Sequence, residues 1–264
     1  MLIDTHCHLD FKDFDEDRDD VIKRAYDAGV QKIINVGCDL ERSKSSVALA
    51  DKYNYIYASV GLHPQEANNT DEKIFSEIEE LAKHPKTVAI GECGLEYSGP
   101  ASHNLNKEKQ KEVFLRHLEL SQQIQKPVII HCRSAYEDLI EILKTNSSCG
   151  VVHFFSGKLA QVKQLLDLRF LISFTGVITF SRDYDRVIQS IPLDRILIET
   201  DAPFVAPVPY RGTPLESPRL PTGQARNEPA YVIEIAKKIA EIKNISFEKI
   251  AEQTAKNAIK LFSI

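Results

Sequence analysis

Apolar and polar positions alternate along this chain in two rhythms that take turns from end to end. Short β-branched, apolar runs lie at Leu2–Thr5, Lys32–Val36, Ile56–Val60, Val88–Ile90, Val128–Ile130, Val151–His153, Phe170–Phe174 and Arg195–Ile198. Runs of that length and composition are expected as buried strands. Between them lie stretches with helical spacing: Asp15–Ala28, Leu40–Asp51, Asp71–Lys83, Lys107–Gln123, Ala135–Lys144, Leu159–Asp167 and Tyr184–Ser190. Two more helices are expected near the end, one opened by Asn227 or Glu228 and running to Ile242, one capped by Ser246 and running to Leu261. Asp39 has the position of an N-cap and Gly29 that of a C-terminal stop. Strand and helix in strict alternation predict a parallel sheet with crossover helices. Eight such units in a chain of this length predict an α/β fold, a (β/α)8 TIM barrel formed as a single domain over residues 1–264. An open doubly wound sheet is the competing architecture. The proline-rich stretch Ala202–Arg226 is expected as a long irregular loop, functional or merely tolerated.

The 264 residues are 43% hydrophobic and 27% charged, which suits a globular chain and excludes a disordered or collagen-like one. No apolar run approaches the ~18 residues that span a bilayer. Met1-Leu2-Ile3-Asp4 lacks the basic stretch and apolar run of an export signal. Five cysteines with no export signal are expected as reduced thiols in a cytoplasmic protein. Oligomeric state stays open, with a monomer compatible. The net charge is −5, so a polyanionic substrate would need a local basic patch or metal ions to hold it.

Metal-ligand side chains recur at the strand ends. His6 and His8 flank Cys7 after the first run, and in extended backbone they share one face. His63 follows the third run, Glu92 the fourth, His131 the fifth, His153 the sixth and Asp201 the eighth. Strand C-termini meet on one face of such a barrel, so these side chains are expected to converge there. Each has a plainer alternative: a core histidine for His153, a structural carboxylate for Glu92, a turn residue for Asp201. His84, His103 and His117 fall in a link, a loop and mid-helix and are expected to be uninvolved. Cys7, Cys93 and Cys132 each follow a candidate ligand, and alternation turns them towards the helices as packing residues.

Asp4-Thr5-His6-Cys7-His8-Leu9-Asp10, Gly61-Leu62-His63-Pro64, Gly91-Glu92-Cys93-Gly94-Leu95, His131-Cys132-Arg133, His153-Phe154-Phe155-Ser156-Gly157 and Glu199-Thr200-Asp201-Ala202-Pro203 stand in this order. Together with Asn227-Glu228-Pro229, they give a chain that resembles the TatD-type metal-dependent deoxyribonucleases along nearly its whole length. The resemblance implies a TIM-barrel hydrolase within the wider amidohydrolase group that cleaves DNA phosphodiester bonds from the 3′ end, and a site in the barrel mouth beneath the Ala202–Arg226 loop is expected to favour single strands. It implies two divalent cations, one held by His6, His8, Glu92 and Asp201, the other by Glu92, His131 and His153, with Glu92 bridging. It places His63 by the scissile phosphate and makes Asp201 the proton acceptor, with Glu92 and His63 as further catalytic groups. Arg133, Arg211 and Arg226 are candidate phosphate contacts, with surface solubility as the plainer reading for the last two. Tyr97 and Phe155 are candidates for base stacking or core filling.

The resemblance implies magnesium, whereas four imidazoles and two carboxylates suit Zn²⁺ or Mn²⁺ better, so the metal stays open among the three. Two departures touch the substrate rim: Glu96 stands where the family has Asp, and Thr213–Arg226 separates the late Arg-Gly and Asn-Glu-Pro elements. The rival reading is a metal-dependent amidohydrolase or ester hydrolase such as a D-aminoacyl-tRNA deacylase. Many binuclear amidohydrolases bridge their metals with a modified lysine on strand four, and Glu92 in that place favours the nuclease branch.

Overall fold

A computed structural model describes residues 1–98, 106–212, 220 and 222–264. Its strands are β1 (Leu2–Cys7), β2 (Val30–Val36), β3 (Ile56–Val60), β4 (Thr87–Glu96), β5 (Val128–Arg133), β6 (Gly150–Val152), β7 (Leu171–Phe174) and β8 (Ile196–Ile198). They form one sheet in sequence order, and every neighbouring pair is parallel. The seam between first and last strands is drawn together just beyond β8. There Asp201 N donates to His6 O at 2.8 Å and His8 N to Ala202 O at 2.7 Å. The result is the expected barrel of eight parallel strands, nearly closed.

The helices are α1 (Arg18–Asp27), α2 (Leu40–Lys52), α3 (Glu72–Ala82), α4 (Lys107–Ile124), α5 (Tyr136–Lys144), α6 (Leu159–Asp167), α7 (Asp185–Ser190), α8 (Val232–Lys243) and α9 (Phe247–Phe262). Asp39, Asp71 and Ser246 cap α2, α3 and α9, each side-chain oxygen accepting an N–H of the first turn. Two helix starts differ from the sequence expectation. A 3-10 turn, Lys12–Phe14, precedes α1, and another, Pro229–Tyr231, stands where a helix was expected from Asn227 or Glu228. The Asn227 amide is occupied instead by the carbonyls of Thr200 and Phe204, at 2.8 and 2.7 Å, so it ties the loop after β8 to the barrel. Among the described residues no helix is long and apolar enough to cross a membrane.

β4 is much longer than Val88–Ile90. Gly91 reads as a strand breaker in sequence, yet here it is a place of close approach. A Cβ on Gly91 would meet Ile129 O at 2.4 Å, and one on Gly94 would meet His131 O at 2.0 Å. Both have positive φ, 135° and 140°, which glycine adopts without a steric penalty.

Two apolar layers result. Outward positions such as Val60, Ile130, Ile172 and Ile198 pack with Phe75, Leu118, Leu139, Leu165 and Ile235 of the helices. Inward positions Ile3, Ile34, Ala89, Ile129, Val151, Leu171 and Leu197 pack with Ala255, Ala258 and Phe262 of α9, which closes the lower end of the barrel. Each large side chain buried in this way contributes about 1.5–3 kcal/mol. The upper end is left to polar groups.

Candidate metal centre

Two β-bulges aim the ligands. Ile3 faces the inner layer, so strict alternation along β1 would turn Cys7 inward and His6 outward. The register slips between Asp4 and Cys7, and the order reverses: Cys7 joins the outer core, its thiol against Ile34 O, while His6 and His8 enter the barrel mouth. The same occurs on β4, where a slip between Ile90 and Cys93 buries Cys93 outside and brings Glu92 inside. Bulges re-aim side chains in this manner. On β5, and past β6 and β8, plain alternation suffices, carrying the inward face from Ile129 to His131, from Val151 to His153 and from Leu197 through Glu199 to Asp201.

Glu92 sits at the centre, and its two oxygens face different groups. Oε2 lies 3.5 Å from His6 Nε2 and 3.9 Å from His8 Nε2. Oε1 lies 2.9 Å from His131 Nδ1, 2.9 Å from His153 Nε2 and 3.6 Å from His63 Nε2. Asp201 Oδ1 is 3.6 Å from both His6 Nε2 and His8 Nε2. The donor groups His6–His8–Glu92, His63–Glu92–His131 and His6–His153–Asp201 are each compact enough to hold an ion. All seven residues that the sequence singles out at strand ends therefore come together, with His63 next to Glu92.

The donor set fits divalent cations. His6 Nε2 and His8 Nε2 face each other at 3.3 Å, as do His131 Nδ1 and His153 Nε2. Tetrahedral bonds of about 2.0–2.1 Å to one metal put ligand atoms about 3.3 Å apart. His8 Nδ1–H donates to Val36 O at 2.9 Å, which leaves Nε2 with its lone pair towards the centre. His131 presents Nδ1 to the centre, and its Nε2 lies 3.2 Å from Glu96 Oε2.

The electrostatics agree. Burial lowers the pKa of His6 and takes His63 down to about 3, so both rings are neutral at pH 7. At Glu92 burial is overcome by His153, His63 and the hydrogen bond from His131, which hold the carboxyl well below its usual range. Burial is likewise overcome at His8 by Asp201, at His131 by Glu92 and Glu96, and at His153 by Glu92 and Glu199, and all three rise. The pocket is thus built around carboxylates that demand positive charge, and cations supply it without protonating imidazoles at van der Waals contact.

The remaining sequence candidates separate. Arg133 is exposed, with its guanidinium 3.8 Å from Glu96. Arg211 is exposed and lies over the Phe180 ring at 4.0 Å. Arg226 does not join the cluster. It is buried, and it donates to Asp17 at 2.7 and 2.8 Å, to Glu228 at 3.0 Å and to the Asp13 carbonyl. Those bonds use both terminal nitrogens and tie Arg226 into an ion pair outside the cluster, where the sequence expected a phosphate contact. Phe155 is a fully buried core residue, and the Tyr97 hydroxyl donates to Asp138. His117 is buried, donating to Val113 O and accepting from Leu62 N, and His84 lies 3.5 Å from Asp51. His103 and residues 213–219 and 221 of the insertion lie outside the described residues.

Sequence reasoning left Glu199, the histidine contact of Glu96 and two rings unmarked. Glu199 is buried 3.5 Å from His153 Nδ1 and accepts from Phe154 N. The period-2 signal was there, since it precedes Asp201 by two positions just past the last strand. Glu96, assigned to the rim, instead contacts His131 and accepts from Ser98 N. Phe11 and Phe204 stand beside His8, at ring-centroid distances of 4.7 and 6.3 Å. Nothing in local sequence marks them.

Residues 3–263 match the family model described as TatD related DNase. Over full length on both sides the chain is 39% identical to YabD, a metal-dependent hydrolase of Bacillus subtilis strain 168. It is 33% identical, again over both full lengths, to the 3′-5′ ssDNA/RNA exonuclease TatD of Erwinia amylovora. The crystal structure of YjjV, a TatD homolog from Escherichia coli K12, superposes with a TM-score of 0.89 at 30% identity, covering 100% of this chain and 98% of that one.

Proposed function

The chain belongs to the family of TatD-related DNases and is a metal-dependent hydrolase, and on that footing we propose that it cleaves phosphodiester bonds of DNA from the 3′ end of single strands, using two divalent cations. The observation that carries this reading is the division of Glu92, with Oε2 towards His6 and His8 and Oε1 towards His131 and His153. One carboxylate shared between two ligand groups is the arrangement that holds two cations close together. When bound, such a pair neutralises phosphate charge, acidifies water and stabilises a leaving oxygen.

The chain's own residues supply the rest. Asp201 lies at the edge of the cluster with its carboxylate partly open to solvent, where it can take a proton from the attacking water. His63, neutral and beside Glu92, is placed to donate a hydrogen bond to a phosphate oxygen. Arg133, free of tight ion pairing at the end of β5, is the guanidinium best placed for the rest of the backbone. The relative named as a 3′-5′ ssDNA/RNA exonuclease supports both the polarity and the single-stranded form of the substrate.

The test is cleavage of single- and double-stranded oligonucleotides, labelled at either end, by metal-loaded protein, beside a D-aminoacyl-tRNA arm. Stepwise shortening of the single strand from its 3′ end is expected, slowing as salt rises because phosphate contacts are screened. Equal rates on blunt duplex would overturn the single-strand preference. Release of amino acid with no DNA cleavage would replace the nuclease reading with the deacylase one.

A further inference from the structure

Among the described residues, Phe204 is an exposed aromatic side chain set against a residue of the metal centre. The residue is 40% accessible in a molecule whose other phenylalanines are mostly in the core. Its ring is stacked on neither aromatic neighbour: it meets His8 at 6.3 Å and 66° and Phe11 at 6.0 Å and 81°. Its exposure leaves part of the side chain open to solvent beside the ligand cluster. Phe180, comparably exposed, differs in having the Arg211 guanidinium over it.

The backbone that carries the ring is also tied down. Asp201-Ala202-Pro203-Phe204 forms a turn closed by Phe204 N to Asp201 O at 2.9 Å. The Asn227 amide then binds the carbonyls of Thr200, Phe204 and Val205. Behind it, Phe11 is fixed between His8, stacked at 4.7 Å, and Arg42, whose guanidinium lies 4.5 Å over the ring and bonds the Asp10 carbonyl. An aromatic ring on an anchored backbone thus stands three residues from Asp201 and in edge contact with His8.

We propose that Phe204 is a stacking platform for the nucleobase adjoining the scissile phosphate, with Phe11 as its positioning brace. The inference rests on the nuclease reading and deepens it by naming what holds the base. An aromatic face suits any base, because each offers a π-face, so the platform gives affinity without sequence preference. A base inside a duplex has both faces covered by its neighbours, so beyond the terminal pair the platform takes a base only from a single strand or a frayed end. The same residue thereby favours single strands.

The experiment compares a single-stranded oligonucleotide ending in 3′-thymidine with the same strand ending in an abasic tetrahydrofuran residue. Metal-loaded wild type, Phe204→Leu and Phe204→Trp are assayed for cleavage. Binding is measured separately by fluorescence anisotropy on strands with slowly cleaved phosphorothioate 3′ linkages. Wild type is expected to favour the base-ended strand by about five- to a hundredfold, the range that loss of one base–aromatic stack produces. Phe204→Leu, which keeps apolar bulk but no π-face, is expected to bind and cleave both strands at the abasic level with unchanged metal content. Phe204→Trp is expected to restore the difference. Equal handling of both strands by wild type, or full discrimination retained in Phe204→Leu, overturns the platform. Binding that discriminates base from abasic end with no cleavage of either strand overturns the nuclease reading and leaves the platform standing.

Discussion

The backbone N–H of Asp201 donates to the carbonyl of His6 at 2.8 Å, and the same two residues bring their side chains to 3.6 Å. The bond that draws the last strand's end onto the first is therefore also what assembles half of the ligand cluster. Barrel closure and metal binding are coupled at this seam. A cation held by His6, His8, Glu92 and Asp201 would cross-link β1, β4 and the end of β8, and removal of metal is expected to lower thermal stability as well as activity.

Glu92 and His6 differ in how many ligand groups they serve. Glu92 faces both histidine pairs, whereas His6 Nε2 faces His8, Asp201 and one Glu92 oxygen. Glu92→Ala is expected to weaken both metals, and His6→Ala chiefly one. Metal content per chain after dialysis reads the difference. Two metals held by Glu92→Ala at wild-type affinity would remove Glu92 from the bridge.

Arg226 separates structural from substrate roles. Its guanidinium is buried against Asp17 and Glu228 and lies 4.7 Å over the Phe14 ring. Removing one member of a buried ion pair leaves its partners uncompensated, at a typical cost of about 3–5 kcal/mol. With Asp17 part-exposed, Arg226→Ala is expected near the lower end, measured by urea unfolding, with the salt dependence of DNA cleavage unchanged. Arg133→Ala should do the reverse: no change in stability, and a shallower salt slope. A shallower slope in Arg226→Ala would return it to the phosphate-binding set.

His117 supplies a pH signature away from the cluster. It is buried as a neutral ring, and burial takes its pKa from 6.5 to about 4. The unfolded chain binds this proton more readily than the folded one, so the contribution is complete above about pH 6.5 and falls away as pH drops towards 4. Between pH 7 and 5 the loss is about 2 kcal/mol, taking about 1.4 kcal/mol per pKa unit. In His117→Gln the pH dependence of unfolding is expected to be shallower by that amount. An identical slope in both proteins would show that another group titrates there.

The histidines, Glu92 and Asp201 were legible because type and period coincide: each stands at a strand end, and period-2 alternation groups His6 with His8. What alternation could not show is the pair of bulges. Read without them, Ile3 and Ala89 would send His6 and Glu92 out of the barrel. Bulges come from pairing with the next strand, which no local window contains. The contacts of Glu96 and Arg226 were not legible for a related reason, since their partners His131, Asp17 and Glu228 are set by the fold. Gly91 failed as a boundary marker because its role is contact with Ile129 on the neighbouring strand.

Asp201 carries the sharpest prediction. Its φ of 57° turns the chain out of the barrel directly after β8, and its Oδ1 reaches both His6 and His8 while the side chain keeps some contact with solvent. Glu92, His131 and His153 do not depend on it for their mutual contacts at 2.9 Å. Asparagine has nearly the same shape but cannot take a proton at neutral pH. Asp201→Asn is therefore expected to keep the fold and the metal at the His131–His153 side while kcat falls by about 10²–10⁴, the usual contribution of a general base. The check is kcat beside metal content and circular dichroism on the same preparation. Activity within a few-fold of wild type, with both metals present, would assign the proton to another group and leave Asp201 as a ligand alone.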